Sequence, residues 1–368
     1  MMNIPFLDLK AQYKTIKQEI DSAIKRVVKN QHFILGNELK TFENNFAKYL
    51  GVNYACGVNS GTDALIFALK ILDIGPGDEV ITPTQSFIAT TLAITEVGAT
   101  PVFVDSDPVT FQIDANQIED KITNKTKAIL PVHLYGAPCE IEKIIKIAKK
   151  YKLRVIEDAC QAHGTTYKLK MVGTFGDIGV FSFYPGKNLG CYGDGGAMVT
   201  NDKELYKKML LIRNYGQTVK YYHDTIGLNS RLDEIQAAIL DIKLKYLDNW
   251  NERRNVIAER YNNSLKNVKT QKIINNGISN YHVFTILVKN RESLIKKLEE
   301  NGIHTIIHYP IPIHLQKCFE LSRYKQNSFP VAEKIANQIL SIPIYPEITT
   351  DQVDHITENV LRYSASDI

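Results

Sequence analysis

The segment Phe181–Gly196, FSFYPGKNLGCYGDGG, presents a single amine, Lys187, in a tightly turned loop. An aromatic and apolar run leads into Pro185-Gly186, and four glycines occupy the last seven positions. Pro-Gly and Gly-rich stretches mark turns, and lysines usually lie in water. Taken alone, the segment favours a surface turn, so a chemical role for Lys187 depends on what the rest of the chain places beside it.

Two other segments carry residue types that bind small ligands. Ser60-Gly61-Thr62 precedes a helical pattern, where free backbone N–H groups and a hydroxyl suit a phosphate, although Ser60 as a plain helix cap is the commoner case. Asp158 ends the apolar run LRVIED; an acid there either caps a helix or is held at a ligand edge, because a buried charge needs a partner. Close behind it, Gln161 is polar, and His163 is expected to be packed and hydrogen-bonded rather than to face a ligand.

The pattern between these segments predicts an α/β fold. Five apolar runs are interpreted as short buried strands: Glu79–Pro83, Pro101–Asp105, Lys127–Val132, Leu153–Asp158 and Asp177–Phe183. Helical patterns such as Cys139–Lys152 alternate with them, which is typical of a mostly parallel sheet covered on both faces. Ligands of such sheets bind beyond the carboxyl ends of the strands, where the polar segments fall.

A helical pattern over Leu232–Asn263 leaves the sheet region. The remaining sequence has Tyr281–Val288 as its clearest strand. We therefore predict a large domain over residues 1–245 and a smaller α/β domain over residues 246–368.

Composition argues against several classes of protein. The 368 residues are 44% hydrophobic and 23% charged, and the net charge of +4 comes without a run of lysines and arginines, so nucleic-acid binding is not indicated. The five cysteines are scattered without a Cys-x-x-Cys pair, so neither a metal site nor a disulfide framework is indicated. No apolar run approaches the ~18 residues that span a bilayer, and the N-terminus lacks a signal-peptide pattern. The expectation is a cytoplasmic enzyme without a membrane partner.

Together, the phosphate cradle, the carboxylate and the loop lysine are what pyridoxal 5′-phosphate requires. A lysine forms a Schiff base with the aldehyde of that cofactor, and a carboxylate keeps its pyridine nitrogen protonated so that the ring can withdraw electrons from a carbanion. Each segment alone is a weak signal. Their order and spacing are a stronger one.

The sequence resembles the DegT/DnrJ/EryC1/StrS family of pyridoxal-phosphate-dependent nucleotide-sugar aminotransferases over nearly its whole length. The blocks that carry the resemblance are, in order, IPFLDLKAQY, HFILGNELKTFENNFAKYLGV, GVNSGTDAL, GDEVITPTQSFIATTLAI, PVHLYG, VIEDACQAHG, FSFYPGKNLGCYGDGGA, IGLNSRLDEIQAAIL and IHYPIPIHLQ. Such blocks in one order are far more specific than any single motif. The resemblance implies the aspartate aminotransferase-like fold (fold type I), in which a large domain has a mostly parallel seven-stranded sheet and a smaller α/β domain follows.

The resemblance also implies a role for each matching residue. Lys187 would be the Schiff-base lysine and then the base that moves the proton of the donor's Cα, while Asp158 pairs with the pyridinium nitrogen and Gln161 contacts the ring hydroxyl. The other residues implied to bind the cofactor are Gly61, Thr62 and Ser182 at the phosphate, Phe87 stacked on the ring, and Asn229, which reaches the phosphate from the neighbouring subunit of a homodimer.

Several of these residues also allow plainer interpretations. Phe87 could be an ordinary core aromatic, and Asn229 a turn residue in Gly-x-Asn. The HYPIP segment could be a proline-stiffened loop that packs its aromatic rings. Cys191 departs from the family, where a small residue is usual, and its place near the lysine predicts sensitivity to thiol reagents.

The blocks around Lys187 and HYPIP resemble most the subgroup that aminates C3 of dTDP-3-oxo-6-deoxyhexoses. The implied reaction uses L-glutamate as amino donor and gives a dTDP-3-amino-3,6-dideoxyhexose for surface polysaccharide or secondary-metabolite glycosylation. In that subgroup Tyr184, His308 and Tyr309 would face the sugar.

Four other functions are compared with this one. Members that aminate C4 remain open, whereas the presence of Lys187 argues against the dehydratase branch, in which a histidine replaces the lysine. A regulator that only binds sugar nucleotides would tolerate loss of Lys187 or Asp158, and both are present. A nucleotide-dependent oxidoreductase would need Gly-x-Gly-x-x-Gly after the first strand, which is lacking.

Overall fold

A computed structural model describes residues 2–319 and 324–364 of the chain. In chain order the α-helices are α1 (Leu9–Asn30), α2 (Asn37–Leu50), α3 (Gly61–Ile71), α4 (Ala89–Glu96), α5 (Ile141–Tyr151), α6 (Lys203–Ile212), α7 (Glu234–Leu244), α8 (Leu247–Ser264), α9 (Arg291–Glu300), α10 (Pro330–Gln338) and α11 (Thr350–Ser364). The strands are β1 (Tyr54–Val58), β2 (Glu79–Pro83), β3 (Thr100–Val104), β4 (Thr126–Ile129), β5 (Arg154–Asp158), β6 (Thr166–Tyr167), β7 (Lys170–Met171), β8 (Ile178–Ser182), β9 (Gly196–Thr200), β10 (Gln217–Val219), β11 (Tyr222–His223), β12 (Lys269–Thr270), β13 (Gly277–Ile278), β14 (Phe284–Leu287) and β15 (Ile339–Ile342). Short 3₁₀ turns lie at Ala115–Gln117, Glu119–Lys121, Leu134–Gly136, Ile313–Leu315 and Lys317–Phe319.

Seven strands form one sheet in the order β1-β9-β8-β5-β4-β2-β3. Strands β3, β2, β4, β5 and β8 run parallel, and β9 is antiparallel to both of its neighbours. Val80 in β2, Ala128 in β4 and Val180 in β8 are fully buried, because helices cover the sheet. The predicted mostly parallel seven-stranded α/β sheet is confirmed.

The five strands predicted from apolar runs all form, with small differences at their ends. The predicted Lys127–Val132 ends as a strand at Ile129, close before Pro131, which has no N–H to donate to a neighbouring strand. The helical pattern over Leu232–Asn263 is divided into α7 and α8, because the N–H groups of Lys245 and Tyr246 bond back three residues in a tight turn.

A second, three-stranded antiparallel sheet, β12-β14-β15, lies in the C-terminal part of the chain. Ile257, Ile286, Leu340 and Val360 share its apolar core. Ile4, from the opposite end of the chain, packs in the same core, and its N–H donates to the carbonyl of Gly302 at 2.7 Å. The predicted boundary at residues 245 and 246 falls between α7 and α8 and stays a prediction.

The helices of the described residues include none that combines the length and the apolar character needed to cross a membrane.

Candidate active site

A cavity of about 830 Å³ opens at the carboxyl ends of β5 and β8. Ten of the residues implied by the sequence line it together: Gly61, Thr62, Phe87, Asp158, Gln161, Ser182, Tyr184, Lys187, His308 and Tyr309. Asn229 is not among the lining residues; it is exposed and its backbone pairs with that of Asn214. One chain therefore assembles all of the expected site except the residue assigned to a neighbouring subunit.

The N-terminus of α3 forms one end of the cavity. Ser60 caps this helix, since its Oγ accepts the N–H of Asp63 at 3.1 Å, so the capping interpretation is confirmed. Gly61 begins the helix against Ser182, and a Cβ at Gly61 would lie 2.7 Å from the Cβ of Ser182. Gly61 and Thr62 line the cavity at the first turn of α3, where N–H groups have no partner within the helix; such groups with the helix dipole bind anions.

Asp158 supplies a fixed carboxylate to the cavity. It ends β5 and is 5% exposed. Its Oδ2 accepts the hydroxyl of Thr90 at 2.8 Å, and its Oδ1 accepts the N–H of Cys160 at 3.1 Å. Both oxygens are therefore oriented by neutral donors, and no ion pair to it is present among the described residues.

Gln161 connects the sheet to the HYPIP segment. Its Oε1 accepts the N–H of Tyr135 at 2.7 Å, and its Nε2 donates to the hydroxyl of Tyr309 at 3.1 Å. The hydroxyl of Tyr135 donates in turn to the carbonyl of His308. The HYPIP segment is thus a packed loop, as the plainer interpretation holds, and it still presents His308 and Tyr309 to the cavity.

Lys187 lies on a turn whose two ends are bonded to each other. Its N–H donates to the carbonyl of Tyr184 at 2.9 Å, and the N–H of Cys191 donates to the carbonyl of Phe183 at 2.9 Å. At Gly190 a Cβ would lie 2.4 Å from the carbonyl oxygen of Pro185, so only glycine fits this turn. Burial lowers the pKa of Lys187, and its Nζ makes no hydrogen bond within residues 2–319 and 324–364.

The aromatic residues at the mouth of the cavity are open to ligand. Phe87 is 52% exposed and Tyr184 is 58% exposed. The ring of Phe87 lies 5.7 Å from that of Tyr309, centroid to centroid. In this chain the interpretation of Phe87 as a core aromatic is wrong, because half of its surface faces the cavity and solvent.

Two expectations about single residues are corrected by the structure. His163 is fully buried between the rings of Phe181 and Phe183, but neither of its ring nitrogens has a hydrogen-bond partner, so it is packed without being hydrogen-bonded. Cys191 is fully buried, its Sγ lies 3.0 Å from the carbonyl oxygen of Phe183, and burial raises its pKa to about 11. Because a buried, protonated thiol reacts poorly, the expected sensitivity to thiol reagents does not follow.

Sequence reasoning missed several lining residues. Thr90, which orients Asp158, lies in the block GDEVITPTQSFIATTLAI. Its position one helical turn after Ser86 could have indicated that it faces the site. Arg254 and His282 also line the cavity, yet they come from α8 and from the segment before β14. Nothing in their local sequence indicates this, because it depends on how the chain after α7 folds back onto the sheet.

The residues present fit pyridoxal 5′-phosphate. The helix N-terminus at Gly61 suits a phosphate, Asp158 offers a carboxylate without a cationic partner, and the Nζ of Lys187 is unbonded beside it. A bound metal has no comparable support, since the described residues hold no group of three or more His, Cys, Asp or Glu side chains that could bind one.

Comparison with known proteins agrees with this geometry. The family model of the DegT/DnrJ/EryC1/StrS aminotransferase family matches residues 14–361. The chain is 49% identical to the dTDP-3-amino-3,6-dideoxy-alpha-D-galactopyranose transaminase of Aneurinibacillus thermoaerophilus, over 98% of this chain and 99% of that protein. It is 45% identical to the pleiotropic regulatory protein of Geobacillus stearothermophilus, over 98% and 99% of the two chains.

Among solved structures, the crystal structure of S. venezuelae DesV in complex with a ketimine intermediate superposes with a TM-score of 0.97. It shares 43% identity with this chain, and the match covers 99% of both chains. This protein therefore belongs to the DegT/DnrJ/EryC1/StrS aminotransferase family.

Proposed function

We propose that this aminotransferase moves the amino group of L-glutamate to C3 of a dTDP-3-oxo-6-deoxyhexose, with Lys187 as the reacting amine. The observation that carries the proposal is the arrangement in one cavity of the unbonded Lys187, the oriented Asp158 and the open N-terminus of α3. The choice of a dTDP-sugar and of C3 rests on the relative from A. thermoaerophilus and on the blocks around Lys187 and HYPIP.

The cofactor is pyridoxal 5′-phosphate, which supplies an aldehyde that links to amines and a ring that withdraws electrons. In the proposal, the N–H groups of Gly61 and Thr62 and the hydroxyl of Ser182 bind its phosphate. Asp158, with its orientation fixed by Thr90, holds a proton at the ring nitrogen. Gln161 and Phe87 fix the plane of the ring.

Lys187 acts as the base. A base must be unprotonated to accept a proton, and burial lowers the pKa of Lys187 from its ordinary value of 10.5. Its Nζ removes the proton from Cα of the amino donor and later delivers a proton to the sugar carbon that receives the amine. The closed turn from Phe183 to Cys191 keeps Nζ at one position during both transfers.

His308, Tyr309 and Tyr184 bind the sugar in this proposal. Burial and the positive charge of Lys187 lower the pKa of His308 to about 4, so its ring is neutral at pH 7. Its Nδ1 is 2.9 Å from the Oγ of Ser341, which leaves Nε2 for a sugar hydroxyl. A neutral imidazole has one donor and one acceptor nitrogen, so it can orient a hydroxyl without adding charge.

We further propose a homodimer in which Asn229 completes the site of the other subunit. Asn229 is exposed and outside its own chain's cavity. The hairpin β10–β11 and the segment between it and Asn229 expose large apolar side chains: Val219 is 64%, Tyr221 78%, Tyr222 70% and Ile226 91% exposed. Contiguous exposed apolar residues are typical of an interaction surface.

The test is a reaction of the enzyme with L-glutamate and matched 3-oxo and 4-oxo sugars, each linked to dTDP or to UDP. We expect the dTDP-3-oxo-6-deoxyhexose to react fastest, and NMR of the product to place nitrogen on C3. Nitrogen on C4 would make the protein a C4 aminotransferase. Faster reaction of the UDP-sugar would contradict the proposal that the substrate is linked to dTDP. Tight binding of the sugars without amination would instead favour a regulatory role, the function named for the relative from G. stearothermophilus.

A further inference from the structure

Arg254 is a buried cation in the cavity wall that the proposed mechanism does not use. It lies on α8, is 3% exposed and lines the cavity beside His282 and Ile344. Its Nη1 donates to the carbonyl of Ile344 at 2.7 Å and to that of Tyr281 at 3.2 Å. A guanidinium carries five N–H donors, and the three on Nε and Nη2 make no hydrogen bond to the residues the structure describes.

The unbonded edge of Arg254 is not sealed inside the protein. Some buried polar side-chain atoms, such as Nε of Arg231, are both unbonded and fully enclosed by protein. Nε and Nη2 of Arg254 are not among these atoms, so they are unbonded but remain accessible. Arg254 lines the cavity, so an accessible and unbonded edge of its guanidinium is available to a ligand there. The fork formed by Nε and Nη2 matches the two oxygens of a carboxylate.

The charge of Arg254 is poorly compensated. It forms no ion pair with a carboxylate of the described residues, and Glu347 acts on it only from a longer range. Burial and the charges of Lys187 and Arg254 also lower the pKa of His282 well below its ordinary value, so this neighbouring ring stays neutral and adds no charge of its own. A buried charge is unfavourable without a partner, so this wall is suited to an anion.

Of the anions that enter the cavity, a carboxylate of the amino donor fits best. The cofactor phosphate already has a binding site of its own, the N-terminus of α3. The diphosphate of a nucleotide sugar is bonded to C1 of the sugar, so it lies farther from the reacting carbon than a group bonded directly to that carbon. The donor's α-carboxylate is bonded to the same carbon as the reacting amine, so it must lie in the buried part of the cavity.

We propose that the Nε–Nη2 edge of Arg254 binds a carboxylate of the amino donor as a bidentate pair and so sets the affinity for the donor. This proposal rests on the aminotransferase function proposed above. The proposal assigns Arg254 to the amino donor and not to the sugar. Because the two substrates react in separate half-reactions, the effect of Arg254 on each can be measured separately.

The test measures the two half-reactions of the holoenzyme by rapid-mixing absorbance, one with L-glutamate and one with the oxo-sugar nucleotide. For Arg254→Gln we expect the L-glutamate concentration at half-maximal rate to rise about tenfold to a hundredfold, because a charged hydrogen-bonded pair is lost. The oxo-sugar nucleotide concentration at half-maximal rate should stay unchanged. Arg253→Gln is the matched control, because Arg253 is the exposed neighbour on the same helix. An effect on the sugar alone would assign the edge to the diphosphate and overturn the proposal, as would no effect on either substrate.

A second variant and a binding measurement cover a failure of Arg254→Gln to fold. Arg254→Lys keeps the cation but not the fork, and we expect a smaller rise, of several-fold, for the donor; wild-type donor affinity in a folded Arg254→Lys protein would contradict bidentate capture. By titration calorimetry, glutarate should bind the wild type more than tenfold tighter than the variant, and equal heats for both proteins would also contradict it. If the wild type fails to react with L-glutamate, the proposed donor is wrong, and the glutarate titration still decides the role of Arg254.

Discussion

Asp158 shows at the residue scale how a carboxylate is oriented inside a cavity. Its two oxygens accept hydrogen bonds from Thr90 and Cys160, and no cation competes for them in the described part of the chain. If it holds the proton on the ring nitrogen, Asp158→Asn should fold and lose about a hundredfold or more in kcat, because the ring then withdraws electrons poorly. Steady-state assays with Thr90→Val as the milder control test this, and a variant within about threefold of wild type, under ~1 kcal/mol, would make the carboxylate structural.

His163 has a consequence for acid stability. Burial, with the charge of Lys187, lowers its pKa from 6.5 to about 3. The unfolded chain therefore binds a proton between pH 6.5 and pH 3 that the folded chain does not, so the free energy of unfolding falls as the pH drops through this window. His163 alone accounts for about 2 kcal/mol between pH 7 and pH 5 by this linkage.

His163→Leu should remove that part of the acid sensitivity and leave stability at pH 7 little changed, since no hydrogen bond is lost. Urea unfolding at pH 7 and pH 5 measures it, with His304→Leu, an exposed histidine, as control. Parallel pH profiles for the wild type and His163→Leu would show that His163 does not carry the effect.

At this scale the sequence predicts the residues that stand in dense local motifs, such as Lys187 and Asp158. It does not predict Arg254, because the meaning of that residue depends on α8 crossing back to the sheet. It also does not predict that His163 lacks hydrogen bonds, since this depends on the packing of Phe181 and Phe183 around its ring.

At the element scale, α7 holds the turn that carries Lys187. Its Lys243, 1% exposed, donates to the carbonyl of Gly190 at 2.7 Å, with Nζ 4.4 Å from the ring centroid of Tyr192. Two turns earlier on α7, Gln236 accepts the N–H of Tyr192 at 2.8 Å. One helix therefore fixes the far end of the Lys187 turn at two points.

Lys243→Met should lower kcat about tenfold to a hundredfold by loosening the position of Lys187, while the KM for the sugar changes less than twofold. The visible absorption of the holoenzyme should also titrate at a different pH, a signature that a change in overall stability alone would not produce. Lys245→Met, at an exposed position just after α7, should behave as wild type. A Lys243→Met protein with wild-type kcat and absorbance would show that α7 is not needed to position the turn.

Sequence pattern also predicts most elements but not all their limits. Apolar runs identify β2, β3, β4, β5 and β8, because a strand buried on both faces needs apolar residues on both. The break between α7 and α8 is not visible, since Lys245 and Tyr246 are acceptable helix residues and the turn is imposed by packing.

At the scale of the whole molecule, we predict active sites that are shared between two chains. Mix Lys187→Ala chains with Asn229→Ala chains and let the subunits exchange. In a mixed dimer one site has both substitutions and the other site has neither. Random exchange makes about half of the dimers mixed, so about a quarter of all sites are intact and activity should recover to about a quarter of wild type. Proven exchange without recovery would mean that Asn229 serves its own chain.

We propose that Lys187 is the amine that reacts, and covalent trapping tests this assignment most directly. The holoenzyme is reduced with borohydride, digested, and its peptides are mapped by mass spectrometry. We predict the added mass of the reduced cofactor on Lys187 and none in Lys187→Ala. Lys243 is the other buried lysine whose amine could react with the cofactor aldehyde, since burial lowers its pKa to about 8. Cofactor mass on Lys243, or an unlabelled wild-type holoenzyme, would contradict the assignment of Lys187 as the reacting amine.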